Sequence, residues 1–222
     1  MRRRNRILQD IVNERIVSFI NSFDRADSEI CMIIEKEARD TYVPIIRKEM
    51  GAFLKVLLAM NRPENILEIG SAIGYSSILM SENISETARI TTIENYDKRI
   101  PIARQNFIRA GKENVITLIE GDAGEVLKTL EGPYDFIFMD AAKAQYIVIL
   151  PEVIRLLAKG GVLVTDNVLQ EGDITESRYG VTRRNRTIYD RMREYIYAVT
   201  HSDELQTSIV PIGDGITISV KK

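Results

Sequence analysis

Two grammars divide the chain near residue 63. Ahead of that point apolar residues recur only at helical spacing. Residues 7–20 (ILQDIVNERIVSFI) place Ile7, Leu8, Ile11, Val12, Ile16 and Phe19 on one helical face. Residues 28–39 continue the period. Pro44 opens IIRKEMGAFLKVLLAM, since proline is tolerated in a first helical turn, and Asn61-Arg62-Pro63 closes it. Beyond residue 63, short apolar runs alternate with helical stretches. The pattern predicts strands over 65–70, 89–94, 114–122, 134–140 and 162–167. Helices are predicted over 75–83, 97–110, 124–130, 146–158 and 182–200, with Lys159-Gly160-Gly161 ending the fourth. Near-continuous apolar strands joined by helices imply a parallel sheet covered on both faces. The tail, ELQTSIVPIGDGITISVKK, has two β runs around Gly213-Asp214-Gly215 and reads as an antiparallel hairpin added to that sheet. The expectation is one α/β domain: a helical extension over 1–62 and a Rossmann-like core over 63–222.

Composition narrows the chemistry. At 222 residues and 45% hydrophobic content the chain can bury a proper core. Thirty basic residues face 32 acidic ones, so bulk charge argues against nucleic-acid binding and leaves only a local patch. Cys31 and His201 are single, which excludes an intrachain disulfide, a cysteine zinc site and a two-histidine metal site. No apolar run is long enough to span a bilayer, and MRRRNRILQD is a poor secretory signal. No membrane association and a cytoplasmic location are expected.

In an open parallel sheet, ligands bind beyond the carboxyl ends of the strands. The first strand ends in LEIGSAIGYSS, where Gly70 and Gly74 make a turn into a helix; this is not the GxGxxG dinucleotide fingerprint. Glu94 ends the second strand, twenty residues after Gly74. It is placed either to accept ribose hydroxyls or to cap the helix that follows. Asp122, after the third strand, is suited to an adenine amino group, to an N-cap, or to both. The fourth strand ends in Asp140 and the fifth in Asp166-Asn167. Two carboxylates and an amide at one sheet edge suit a hard cation such as Mg²⁺, although Asp and Asn are also ordinary turn residues. Lys143, one helical turn past Asp140, is either a solvated lysine or a base for a metal-held hydroxyl.

Together LEIGSAIGYSS, Glu94, GDA, MDAAKAQY and TDNVL resemble the cation-dependent class I O-methyltransferases, which include catechol and caffeoyl-CoA O-methyltransferases. The likeness extends to VPIIRKEMGAFL and IVPIGDGITIS, and among bacterial members it is greatest to the tRNA 5-hydroxyuridine methyltransferases. The resemblance implies a seven-stranded, mostly parallel sheet and S-adenosylmethionine as methyl donor. It places Gly70, Ser71 and Ser76 at the methionine part, with a backbone contact from Ile46. Glu94 takes the ribose, and Asp122 and Ala123 the adenine. Asp140, Asp166 and Asn167 become metal ligands. Lys143 becomes the catalytic lysine, with Asp140 sharing the catalytic and cofactor roles. Ser71 departs from a common threonine but keeps the hydroxyl.

For the acceptor, overall acidity favours a small catechol, whereas residues 178–193 carry six arginines against Asp190. That run is either the solvated face of an amphipathic helix over 182–200 or, as the resemblance to the tRNA enzymes implies, a patch in which Arg178, Arg183, Arg184 and Arg186 hold tRNA phosphates at the pocket mouth, with Tyr179 and Tyr189 stacking on a base. Arg2, Arg3, Arg4 and Arg6 are either a second phosphate contact or a frayed terminus. A homodimer is expected through the apolar N-terminal helices. A nucleotide-binding oxidoreductase or a non-catalytic binding protein is the reading from another class, disfavoured by the missing GxGxxG.

Overall fold

The computed structural model describes residues 11–222. The part of the first predicted helix over 7–10 and the basic start at Arg2, Arg3, Arg4 and Arg6 lie outside the described residues. Three helices come first: α1 (Glu14–Asn21), α2 (Glu29–Asp40) and α3 (Lys48–Asn61). Strands and helices then alternate: β1 (Asn65–Ile69), α4 (Tyr75–Ser81), β2 (Arg89–Glu94), α5 (Ile100–Arg109), β3 (Ile116–Glu120), α6 (Ala123–Thr129), β4 (Tyr134–Met139), α7 (Tyr146–Leu156) and β5 (Leu157–Thr165). The chain finishes with α8 (Arg186–Thr200), β6 (Leu205–Val210) and β7 (Ile216–Lys221).

The seven strands lie in the order β3-β2-β1-β4-β5-β7-β6. The first five in this order are parallel, while β7 runs antiparallel to both β5 and β6. Strand side chains alternate between faces, so each central strand feeds two cores. Ile66, Phe136 and Phe138 pack with Ile34, Leu54, Leu58 and Ile78 under α2–α4. Leu67, Ile69, Ile137 and Met139 pack with Leu127, Val153, Met192 and Tyr195 under α6–α8. Burial on both faces explains why these strands are apolar throughout, and each fully buried Leu, Ile or Phe side chain is worth about 2 kcal/mol. Cys31, Ile34 and Ala38 of α2 and Met50, Leu54 and Leu58 of α3 belong to the first core, so these helices share the sheet's own interior. No helix among the described residues is long and apolar enough to cross a membrane.

Four boundaries differ most from the sequence pattern. Helix α1 begins at Glu14, capped by Asn13, so Ile11 and Val12 of the predicted period precede it. Helix α3 begins at Lys48, not at Pro44: Arg47 is extended (φ −70°, ψ 156°) and its carbonyl accepts the first helical bond, from Gly51 N at 2.9 Å. Strand β5 begins at Leu157, so Lys159-Gly160-Gly161 does not end α7 but lies inside the strand. There the pairing with β4 slips from Tyr134↔Leu157 to Phe136↔Val162, a bulge. Finally, residues 170–175 and 183–185 form 3-10 turns that no apolar period announced, and α8 starts only at Arg186.

Candidate active site

The carboxyl ends of β1, β2, β4 and β5 open into one cavity of about 560 Å³, within the size range of small-molecule sites. Gly70 makes the crowding at its floor possible. Its φ is +103°, and a Cβ there would lie 2.1 Å from the Asp140 carbonyl oxygen, so the tips of β1 and β4 can meet only without a side chain. Gly70 N and Ser71 N both donate to Ile93 O, at 3.0 and 3.1 Å, which folds the turn over β2.

One end of the cavity is built for hydroxyls and amines. Glu94 is 8% exposed and its carboxylate is fixed by three backbone donors: Ala72 N (2.7 Å), Asn95 N (2.9 Å) and Tyr96 N (2.8 Å). A carboxylate offers about four lone-pair sites, so acceptor capacity remains for a ligand's hydroxyls. Ser71, buried in the wall, has a hydroxyl with no partner, a group that a bound polar ligand would satisfy. Ile46 and Ala123 line the same space, as do Gln145, Tyr96 and Arg99, which sequence patterning did not single out.

Ser76 lines the cavity too, but its hydroxyl donates inward to Glu68, as do those of Ser77 and Thr92. Glu68 is fully buried on β1 and was read only as one residue of an apolar strand. Burial pushes its carboxyl above the ordinary range, with the three hydroxyls opposing. The one available signal was an acid at a position whose neighbours Ile66 and Phe138 are core. Asp122 departs from expectation in the opposite way. It caps α6 through Gly124 N (2.9 Å) and accepts from Gln145 Nε2 (3.0 Å). Its neighbours Gly121 and Ala123 line the cavity, and its own side chain does not.

At the other end stand Asp140, Asp166, Asn167 and Lys143, all in the wall. Asp140 N donates to Ile69 O (2.9 Å) and Asp166 N to Met139 O (3.0 Å), so hydrogen bonds between adjacent strand tips register the two acids. Asn167 adopts φ +59°, a left-handed conformation that asparagine tolerates. Burial raises the Asp140 carboxyl. Burial, then the Asp140 charge, raises that of Asp166. The buried Asp166 carboxylate, the half-buried Asp140 carboxylate and an amide form a hard-oxygen donor set, and the repulsion that Asp140 exerts on Asp166 is what a divalent cation would relieve. These residues therefore fit Mg²⁺ or a similar ion. Lys143 opens a 3-10 turn (Lys143–Gln145), and its ammonium donates to Asp214 Oδ2 at 3.2 Å. Asp214 was read from sequence only as part of a turn.

The arginine segment adjoins this end without entering it. Arg191 donates to Ala144 O (2.9 Å) and so ties α8 to the Lys143 turn. Arg178 pairs with Asp190 (2.9 and 3.0 Å), and Arg186 donates to Val181 O while lying over the Tyr179 ring. Arg183 and Arg184 project from an exposed 3-10 turn. None of these arginines lines the cavity. Tyr179 is exposed, whereas Tyr189 is buried and donates to Glu176 O (2.8 Å); its ring fills the core and is not available to stack on a base.

Comparisons with known proteins agree with this geometry. The chain is 32% identical over 179 residues to caffeoyl-CoA O-methyltransferase 2 of Populus trichocarpa, covering 76% of this chain and 71% of that protein. It is 33% identical over 135 residues to the catechol O-methyltransferase of Niastella koreensis, covering 59% of this chain and spanning about three fifths (61%) of that relative. Among solved structures, the SAH-bound methyltransferase PaMTH1 of Podospora anserina superposes with a TM-score of 0.85 at 25% identity, over 94% of each chain. A Staphylococcus aureus protein gives 0.84 at 32% identity, over 94% of this chain and 98% of its own. The family model described as O-methyltransferase matches residues 25–222, and the chain belongs to that family.

Proposed function

We propose that this protein is an S-adenosylmethionine-dependent, divalent-cation-dependent O-methyltransferase, and that its acceptor is 5-hydroxyuridine in tRNA. The observation that carries the reaction type is the shared cavity. A hydroxyl-binding acid (Glu94) and an unsatisfied hydroxyl (Ser71) stand at one end, and the Asp140, Asp166, Asn167 and Lys143 group at the other.

S-Adenosylmethionine supplies an electrophilic methyl group, and a cation held by Asp140, Asp166 and Asn167 would supply Lewis acidity toward the acceptor oxygen. The chain's own residues do the rest. Glu94, locked by three backbone N–H groups, accepts the ribose hydroxyls. The Ser71 hydroxyl meets the amino-acid end. Lys143 Nζ, at the cavity's metal end, stabilises as an ammonium the acceptor oxygen that has lost its proton or, after releasing one of its own protons to solvent, takes up that proton. Holding donor and acceptor in line removes much of the entropic barrier, on the order of several kcal/mol.

The tRNA acceptor rests on the sequence resemblance and on the exposed Arg183–Arg184 turn, which leads into α8, the helix that Arg191 ties to the Lys143 turn. A catechol-like small molecule is the second reading, favoured by the catechol and caffeoyl-CoA names that the relatives carry. Incubation with labelled S-adenosylmethionine and Mg²⁺ separates them, using tRNA that carries 5-hydroxyuridine in one arm and a catechol panel in the other. Label in tRNA supports the first reading; label only in catechols replaces it with the second.

A further inference from the structure

The reversal of direction at β7 brings a carboxylate to Lys143 from a distant part of the chain. Because β7 is antiparallel to β5, with Thr217 opposite Thr165, the loop leading into it emerges at the carboxyl end of β5. That loop, residues 211–215, is fastened to the segment just past the metal-binding tip. Val168 N donates to Gly215 O (2.8 Å) and Leu169 N to Asp214 O (3.0 Å). Leu169 closes over it so tightly that a Cβ on Gly215 would sit 2.2 Å from Leu169 Cγ. The fixed loop delivers Asp214 into the cavity wall, 8% exposed, with Oδ2 accepting from Lys143 Nζ at 3.2 Å.

We propose that Asp214 is a positioning residue, whose carboxylate holds the Lys143 side chain in its working orientation beside Asp140 and Asp166. This rests on the O-methyltransferase reading of the same cavity. A lysine has four rotatable bonds, and a single turn of 3-10 helix anchors only its base. The ion pair fixes the other end, and charge-assisted hydrogen bonds of this kind are the strong ones. A role for Asp214 as a third acidic metal ligand is not favoured. Among the described residues, no three His, Cys, Asp or Glu side chains are placed to share a metal ion. A role as a mere turn residue does not account for burying a carboxylate against a cation, since a buried charge requires a partner.

The test is a double-mutant cycle joined to chemical labelling. D214N should lower kcat about tenfold while the KM for S-adenosylmethionine stays within about twofold, since only the geometry at the acceptor end is disturbed. In a K143A background, D214N should cost nothing further, and D214E in the wild-type background should recover part of the loss. Losses that multiply in the K143A background would show that Asp214 acts independently of the lysine and would overturn the proposal. Acylation of Lys143 by acetic anhydride, followed by mass spectrometry, should quicken several-fold in D214N, with Lys128 as the internal control. An unchanged Lys143 rate also overturns it, whatever the turnover. If the wild type methylates neither acceptor, the enzymatic reading falls while the labelling still decides whether Asp214 restrains Lys143.

Discussion

Asp140 and Asp166 illustrate what a functional residue costs its own fold. Asp166 is buried and Asp140 half-buried, desolvation raises both carboxyls and the Asp140 charge raises that of Asp166 further, and nothing in local propensity requires an acid at either position. Replacing one of them with its neutral isostere removes repulsion without leaving a cavity. Asp166→Asn should therefore abolish cation-dependent methyl transfer while leaving the melting temperature unchanged or higher; a large fall in melting temperature would mean that the acid is structural. Ser71→Ala separates binding from folding in a similar way. Its hydroxyl has no partner within the protein, so stability should hold within about 0.5 kcal/mol. Affinity for S-adenosylmethionine, measured by calorimetry, should drop about tenfold for one lost hydrogen bond. Glu68 carries the pH dependence. A carboxyl raised in the folded state contributes stability that is present in full below its unfolded value, about 4.3, and lost as pH rises through the folded value. Glu68→Gln escapes that loss. Urea melts between about pH 4 and pH 8 should show the variant gaining on the wild type, and parallel curves would exclude a raised Glu68.

Among the elements, the strand-to-helix turn after β1 is the most sharply determined. Gly70→Ala drives a methyl group into the Asp140 carbonyl and forces a left-handed conformation, so a destabilisation of at least about 2 kcal/mol is expected, with loss of cofactor binding. Normal binding by a stable Gly70→Ala protein would contradict the close approach of β1 and β4. Such features were legible in sequence wherever local pattern and tertiary demand coincide. The continuous apolar strands, the glycine turn, and the acids at the tips of β2, β4 and β5 all sit where a two-sided parallel sheet puts them. The failures share a cause in long-range contact. Asp214 lies 71 residues from Lys143, Glu68 finds its hydroxyls on α4 and β2, and the β5 bulge exists only against β4. Asp122 was legible in part, because N-cap and adenine contact were both open to it and the structure uses the cap.

For the molecule as a whole, charge is segregated and not in surplus. The net charge is −2, yet Arg183 and Arg184 stand exposed on one turn, close in chain to arginines already engaged by Asp190 and by backbone carbonyls. If that turn meets RNA, replacing both by Ala should weaken tRNA binding and reduce the slope of affinity against salt by about two, one phosphate contact each. Melting and cofactor affinity should not change, and an unaltered slope would remove the patch from the tRNA reading. Chelation should stop turnover, with recovery on adding Mg²⁺.

The placement of β7 makes the site depend on two widely separated stretches of chain. The residues that would cradle the methyl donor, from Gly70 to Ala123, lie roughly ninety positions ahead of Asp214. Seated between β5 and β6, β7 stitches the lysine's end of the cavity to the donor's end. Loosening that one strand would release Lys143 while the backbone clasp on Glu94 stays intact.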